Sequence, residues 1–194
     1  DQQNNYEIVA GRVKPGARVL DAFCCQGGFG LHALKAGASE VVAIDSSEPI
    51  LDVVRRTAAA NGFEARLSLR AGNAFDVLRD MQSEGCAFDL IVLDPPSFTR
   101  SRDTVDQALR GYKEIHIRAL RMLAEGGVLA TFCCSHHIAI DRFMDTILDA
   151  AADTGILLRR ETAMTAAPDH PVLPSVPETE YLKGFLFTVL NRAR

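Results

Sequence analysis

Asp21, Asp45, Asn73, Asp94 and Cys134 each stand where a short apolar run of the sequence gives out. Three carboxylates and an amide at equivalent places can hold a ligand that carries positive charge and hydroxyl groups, and a thiol there can act as a nucleophile. Asp21 ends the run that carries Val19 and Leu20, and the glycines Gly27, Gly28 and Gly30 follow it. Glycines let a ligand approach the backbone closely, and N–H groups at the start of the next helix face it. The span from this turn to Asp45 is close to the roughly 20 residues at which an acid meets ribose hydroxyls in dinucleotide-binding units.

Two ligands suit such a site. Gly28-Phe29-Gly30-Leu31-His32-Ala33 matches G-x-G-x-x-A, a loose dinucleotide fingerprint. Yet the glycines come several residues after the strand, and Asp21 occupies the place where a pyrophosphate would be repelled. S-adenosylmethionine carries a positive sulfonium and a free amino group instead of phosphates, so an acid beside the turn suits it on charge grounds. The expected cofactor is therefore S-adenosylmethionine. Asp45, with Ser46 beside it, takes the ribose hydroxyls. The Asn73 side chain bonds the adenine edge, or else merely forms a turn.

Asp94-Pro95-Pro96 gives two readings for the acceptor. It can be a strand stop, because neither proline continues a ladder. It can also be a rigid turn that presents carbonyls and the Asp94 carboxylate to a planar substrate, with Phe98 as a stacking face. Such a turn alone does not choose the acceptor atom. The cysteines help. Carbon 5 of a pyrimidine is a poor nucleophile until a thiolate adds at carbon 6. That chemistry needs a cysteine at a strand end beside the cofactor. Cys133 reads as a small core residue, with Cys134 across the pleat facing the site.

The elements that must position these residues alternate. Strands are expected near 18–21, 40–44, 65–70, 88–93, 128–133, 156–161 and 182–190, with helices after the first five and a polar lead-in over 1–16. The pattern predicts an α/β fold with a seven-stranded, mostly parallel sheet, its last strand antiparallel and helices on both faces. At 194 residues, 47% hydrophobic and 24% charged, the chain fits one soluble domain. Its net charge of −4 is not that of a free-standing nucleic-acid binder. Five cysteines in two adjacent pairs and a singleton make a poor disulfide framework, so a cytoplasmic setting is expected. No apolar run or leader points to a membrane.

G-G-V-L-A-T-F-C-C-S at 126–135, D-P-P-S-F at 94–98, R-G-Y-K-E-I at 110–115, D-H-P-V-L at 169–173 and Y-L-K-G-F at 181–185 form a spaced set. It resembles the bacterial 23S ribosomal RNA (cytosine-5) methyltransferase family, over nearly the whole chain, which implies a Rossmann-like class I methyltransferase fold. The resemblance implies Cys134 as nucleophile. It places Asp21, Phe23, Gly27, Gly28, Phe29, Asp45, Asn73, Asp94 and Pro95 around the cofactor. Members of that family carry an N-terminal RNA-binding PUA domain, which is not expected within residues 1–194. The chain departs from the family pattern at Asn73, where an Asp is usual, at Ser97, where a Lys is usual, and in its opening Asp1-Gln2-Gln3-Asn4-Asn5-Tyr6.

The expected reaction is methylation of carbon 5 of a cytosine in ribosomal RNA through a Cys134 adduct, with Asp94 beside it. Pro96, Phe98 and His170, the last in a proline-rich loop over 168–177, are expected to contact substrate. Methylation of a base amino group and a non-catalytic cofactor-binding domain are the alternatives. His136 and His137 read as loop histidines that could tune Cys134. No metal is expected, because adjacent cysteines point opposite ways. Arg100, Arg102, Arg110, Lys113, Arg118 and Arg121 read either as a phosphate-facing patch or as a solvated face. The oligomeric state is left open, with a dimer among the options.

Overall fold

Val19, Leu20, Ile91, Val92 and Leu93 are shielded from solvent on both sides, as strands in the middle of a parallel sheet must be. In the computed structural model of the chain, which describes residues 1–192, they belong to the two central strands. These are β1 (Arg18–Ala22) and β4 (Phe88–Leu93), which pair in parallel with Ala22 beside Leu93. Outward from β1 lie β2 (Glu40–Asp45) and β3 (Leu67–Ala71), both parallel. Outward from β4 come β5 (Leu123–Cys133), β7 (Lys183–Arg192) and β6 (Ile156–Met164). The order is β3-β2-β1-β4-β5-β7-β6, and β7 runs antiparallel to both of its neighbours. The expected architecture is the observed one, and it places a topological switch point between β1 and β4.

Helices α1 (Gln3–Ala10) and α2 (Gly28–Lys35) pack on one face through Val9, Phe29, Ala33 and Leu34. On that face α3 (Glu48–Ala60) adds Leu51 and Val54 over Ala43. The opposite face is covered by α4 (Ala74–Ser83), α5 (Val105–Met122) and α6 (Ile140–Thr154). There Tyr112, Ile115, Leu120, Phe143 and Ile147 sit at helical spacing over Ile91, Leu93 and Leu129. Each large apolar side chain so buried contributes roughly 1.5–3 kcal/mol. Among the described residues no helix is long and apolar enough to cross a membrane.

Several boundaries differ from expectation, each for a physical reason. Residues 3–10 are not a polar lead-in but a helix. Its buried Asn5 bonds the Gln2 side chain and the Thr165 carbonyl, so polar contacts hold what apolar periodicity would normally signal. Strand β5 begins at Leu123 rather than Val128, because Leu123 still pairs with Phe88 across a bulge. β6 continues to Met164 because its ladder with β7 does, through two shifts of register.

Candidate active site

The carboxyl ends of five strands meet in one cleft of about 560 Å³. Phe23 and Cys25 reach it from the loop after β1, Asp45 and Ser46 from the end of β2, and Asn73 and Phe75 from the start of α4. Asp94, Pro95 and Pro96 come from the turn after β4, and Cys134 from the end of β5. The ladders run on past the strands: the Cys24 N–H donates to the Ile44 carbonyl at 2.9 Å, and the Asp94 N–H to the Ala22 carbonyl at 3.3 Å. Phe23 and Cys25 adopt left-handed φ of 63° and 47°, strained for non-glycine residues. The Asp45 carboxylate holds this loop by accepting the Cys25 and Ser47 N–H groups, each at 3.0 Å. Asn73 lines the cleft while its amide oxygen caps α4 by accepting the Phe75 N–H at 2.9 Å. The turn-forming role is thus present, whatever else the amide does.

Four of the residues expected around a cofactor do not line the cleft. Asp21 is fully buried beneath the turn, where its Oδ2 accepts the Gly30 N–H at 2.8 Å. Gly27, Gly28 and Phe29 are engaged in close packing around the turn. A Cβ on Gly27 would stand 2.8 Å from Val54, and Gly27 itself has a φ of 78°. A Cβ on Gly28 would stand 2.3 Å from the Tyr6 ring. Phe29 is buried against Tyr6 and Phe132. The glycines of this turn let α1 and α3 close on it.

The two residues that lead into helix α1 also complete the cleft, and sequence reasoning missed them. Asp1 and Gln2 line it together with Leu182. The Gln2 Nε2 donates to Asp94 Oδ1 at 3.1 Å, and the Tyr181 hydroxyl donates to Asp1 Oδ2 at 2.8 Å. Burial pushes the Asp94 carboxyl up to about 6, against the Gln2 hydrogen bond that lowers it. Burial likewise pushes Asp21 up to about 7, opposed by the Gly30 N–H and reinforced by Asp94 and Asp45.

These carboxylates test the expected ligand. Among the described residues neither a lysine nor an arginine lines the cleft. A pyrophosphate would meet acids and no cation. Asp21 Oδ1 is buried without a hydrogen-bond partner, and burial disfavours the ionised form of this carboxyl, which a cation bound nearby would favour. Phe23 and Phe75 add apolar surface to the lining. The residues present fit a cationic, hydroxyl-bearing, partly aromatic molecule such as S-adenosylmethionine.

Cys133 and Cys134 part as expected. Cys133 is buried on the α5 face, while Cys134 packs at the edge of the opposite core. The Cys134 Sγ lies 3.6 Å from the Pro95 carbonyl, which ties thiol and turn together. Burial pushes this thiol up, Cys133 and Asp94 add to that, and Lys183 opposes it. Phe98 does not line the main cleft. It packs on Tyr112 at 4.6 Å and Phe75 at 5.5 Å, beside a shallower depression with Arg100 and Gln107. His170 is exposed on its loop, 3.1 Å from Asp169, away from the cleft lining. His136 is exposed, and His137 contacts the Arg100 carbonyl at 3.2 Å. Of the basic residues, Lys113 pairs with Asp153 at 2.9 Å and Arg118 bonds Gln82 at 3.0 Å.

Comparison with known proteins follows the same lines. A family model described as S-adenosylmethionine-dependent methyltransferase matches residues 7–188. "Ribosomal RNA large subunit methyltransferase I" of Aeromonas hydrophila is 41% identical over 187 residues, which are 96% of this chain and 47% of the relative. The chain thus spans about half the length of the curated relatives it matches. Among solved structures, a chain from Streptococcus mutans, provisionally assigned as a SAM-dependent methyltransferase, superposes with a TM-score of 0.84 at 20% identity, covering 97% of this chain and 49% of that one. A provisionally assigned methyltransferase crystallised with SAH gives 0.84 at 21% identity, again covering 97% and 49%.

Proposed function

The chain belongs to the family of S-adenosylmethionine-dependent methyltransferases, and on that premise we propose that it methylates carbon 5 of a cytosine in large-subunit ribosomal RNA. The curated relatives supply the substrate class. The observation that carries the acceptor atom is Cys134, a thiol at the rim of the same cleft as Asp94-Pro95-Pro96, with its Sγ 3.6 Å from the Pro95 carbonyl.

S-adenosylmethionine, when bound, supplies an electrophilic methyl group on a sulfonium. Asp45 and Asp94 line the cleft with Asp21 buried beneath it, and a bound cation would favour the ionised forms of Asp94 and Asp21 that burial opposes. Asp45 and Ser46 stand where ribose hydroxyls would be met, and Phe23 and Phe75 offer faces to the base. The rigid Asp94-Pro95-Pro96 turn orients the pyrimidine. The Cys134 thiolate adds to carbon 6, which makes carbon 5 enamine-like and able to take the methyl group. Loss of the carbon 5 proton then expels the thiolate and restores the 5,6 double bond. Asp94, with a carboxyl pushed up to about 6, can hold or accept a proton near neutral pH and would serve as the acid–base group, since it lines the same cleft as Cys134.

One observation favours a second reading, methylation of a base amino group. Burial and the Asp94 carboxylate both push the Cys134 thiol up, which works against a nucleophilic thiolate. A single assay separates the two. RNA containing 5-fluorocytosine is incubated with the protein and S-adenosylmethionine, and a covalent complex is sought on a denaturing gel. Fluorine at carbon 5 cannot leave as a proton does, so the adduct persists. The expected result is an adduct lost in Cys134→Ser and kept in Cys133→Ser. Methyl transfer that survives Cys134→Ser would overturn the cytosine-5 mechanism in favour of amino methylation.

A further inference from the structure

A nucleophilic Cys134 must ionise in a place that opposes ionisation, and one buried cation stands nearby. Lys183 opens β7 directly across from Cys133 and is only 8% exposed. Its Nζ donates to the carbonyl of Ser135, the residue that follows Cys134. A lysine in such a position loses hydration and conformational freedom, so its presence needs a reason beyond packing. The neighbouring Gly184 shows how closely this corner is built, since a Cβ there would come within 2.6 Å of the Phe132 ring.

We propose that Lys183 is a positioning residue for Cys134: its ammonium fixes the backbone just beyond the thiol and supplies the positive charge that makes the thiolate accessible. The inference rests on the reading of Cys134 as nucleophile. The other groups facing Cys134 are Cys133 on its own strand, Asp94 after β4, Tyr112 from α5 and Tyr181 ahead of β7. None of these is a cation. Glu180 faces Lys183 itself, and burial draws the Lys183 ammonium below the usual lysine range while Cys133, Cys134 and Glu180 hold it up. The Coulomb attraction between an ammonium and a thiolate is strong in a partly desolvated corner, and it is lost when the charge is removed. Lys183 pairs across from Cys133, reaches the end of β5 through the Ser135 carbonyl and does not itself line the cleft.

The test needs neither cofactor nor RNA. Iodoacetamide alkylation of Cys134 is followed against pH by mass spectrometry of the cysteine peptides, with exposed Cys25 as the control in the same tube. Lys183→Met removes charge and donor, Lys183→Gln keeps a donor without charge, and Lys183→Arg keeps both. At a fixed pH below the midpoint of the profile, Cys134 alkylation is expected to slow about tenfold in Lys183→Met and Lys183→Gln. It should return toward the original profile in Lys183→Arg, with Cys25 unmoved throughout. A Cys134 profile unchanged in Lys183→Gln overturns the role of the charge. Equal changes at Cys134 and Cys25 overturn it as well, since they report a loosened fold. If Lys183→Met does not fold, Lys183→Gln alone decides. The two assays fail separately: a Lys183-dependent thiol that forms no RNA adduct would sink the cytosine-5 reading and still support this assignment.

Discussion

At the scale of single residues, the feature that most needs an explanation is Asp21. A carboxylate with one oxygen on the Gly30 N–H and the other unpartnered is costly to bury. With its folded-state value at about 7 against an ordinary 3.8, the folded protein binds a proton more tightly than the unfolded chain does. The resulting stability is therefore present below about pH 4 and is lost as pH rises to about 7, for a total of about 4 kcal/mol. His116, fully buried and held down to about 4 by burial, works in the opposite direction, its stability being lost as pH falls from about 6.5 toward 4. The two must be separated by difference. Asp21→Asn keeps an acceptor for Gly30 without the titration. Urea unfolding of both proteins at several pH values should show the original chain losing stability relative to the variant between about pH 4 and 7. Parallel stability curves would mean that Asp21 does not titrate in this range. A negative group kept at this cost under a cleft of acids is what a cationic ligand can compensate, and this is its place in the proposed function.

At the scale of elements, the joint between α1 and α2 decides whether the cleft is complete. Tyr6 sits edge-on to Phe29 at 4.7 Å and stacked on His32 at 5.2 Å, so it cannot swing away from Gly28. Gly28→Ala is expected to cost about 1–3 kcal/mol by overpacking. The cost should shrink in a Tyr6→Ala background, which thermal unfolding of the four proteins of that cycle measures. Additive effects would show that α1 tolerates the methyl group. The same joint marks where the sequence was legible and where it was not. Strands such as Phe88–Leu93 announced themselves by continuous apolar residues, and their ends gave Asp45, Asp94 and Cys134 correctly as cleft residues. Helix α1 was hidden because only Tyr6 and Val9 mark its inner side, while Asn5 within it and Asp1 and Gln2 ahead of it make their contacts through polar atoms. The glycine turn carries a second meaning that the sequence did not show: glycine is needed wherever backbones or side chains come close, and Tyr6 and Val54 are such close neighbours here. A signal was available in the run Gln2-Gln3-Asn4-Asn5 just before an aromatic residue, but only a fold that brings residue 2 to residue 94 gives it meaning.

At the scale of the whole molecule, charge is distributed in a way that sorts ligands. The chain is acidic overall, with a net charge of −4. Its cleft gathers acids, while Lys113 and Arg142 on the far face are matched by Asp153 and Asp106. A dinucleotide carries two phosphates into such a field, whereas S-adenosylmethionine and its product bring an amino group and no phosphate. The sheet order alone does not discriminate, because both ligand classes bind at the switch point of α/β sheets. Thermal unfolding does discriminate, since a ligand that binds only the folded state stabilises it by mass action. S-adenosylhomocysteine at about 100 times its Kd should add about 2.7 kcal/mol. For a chain of this size that raises Tm by about 5–10 °C. NAD at the same concentration should leave Tm where it was. An equal or larger shift with NAD would mean that the carboxylates lining the cleft do not set its ligand, and the charge argument for the cofactor would fall with it. A shift with S-adenosylhomocysteine alone would agree with acids at the ends of β1, β2 and β4 that reject a pyrophosphate and accept an adenosyl ligand that carries none.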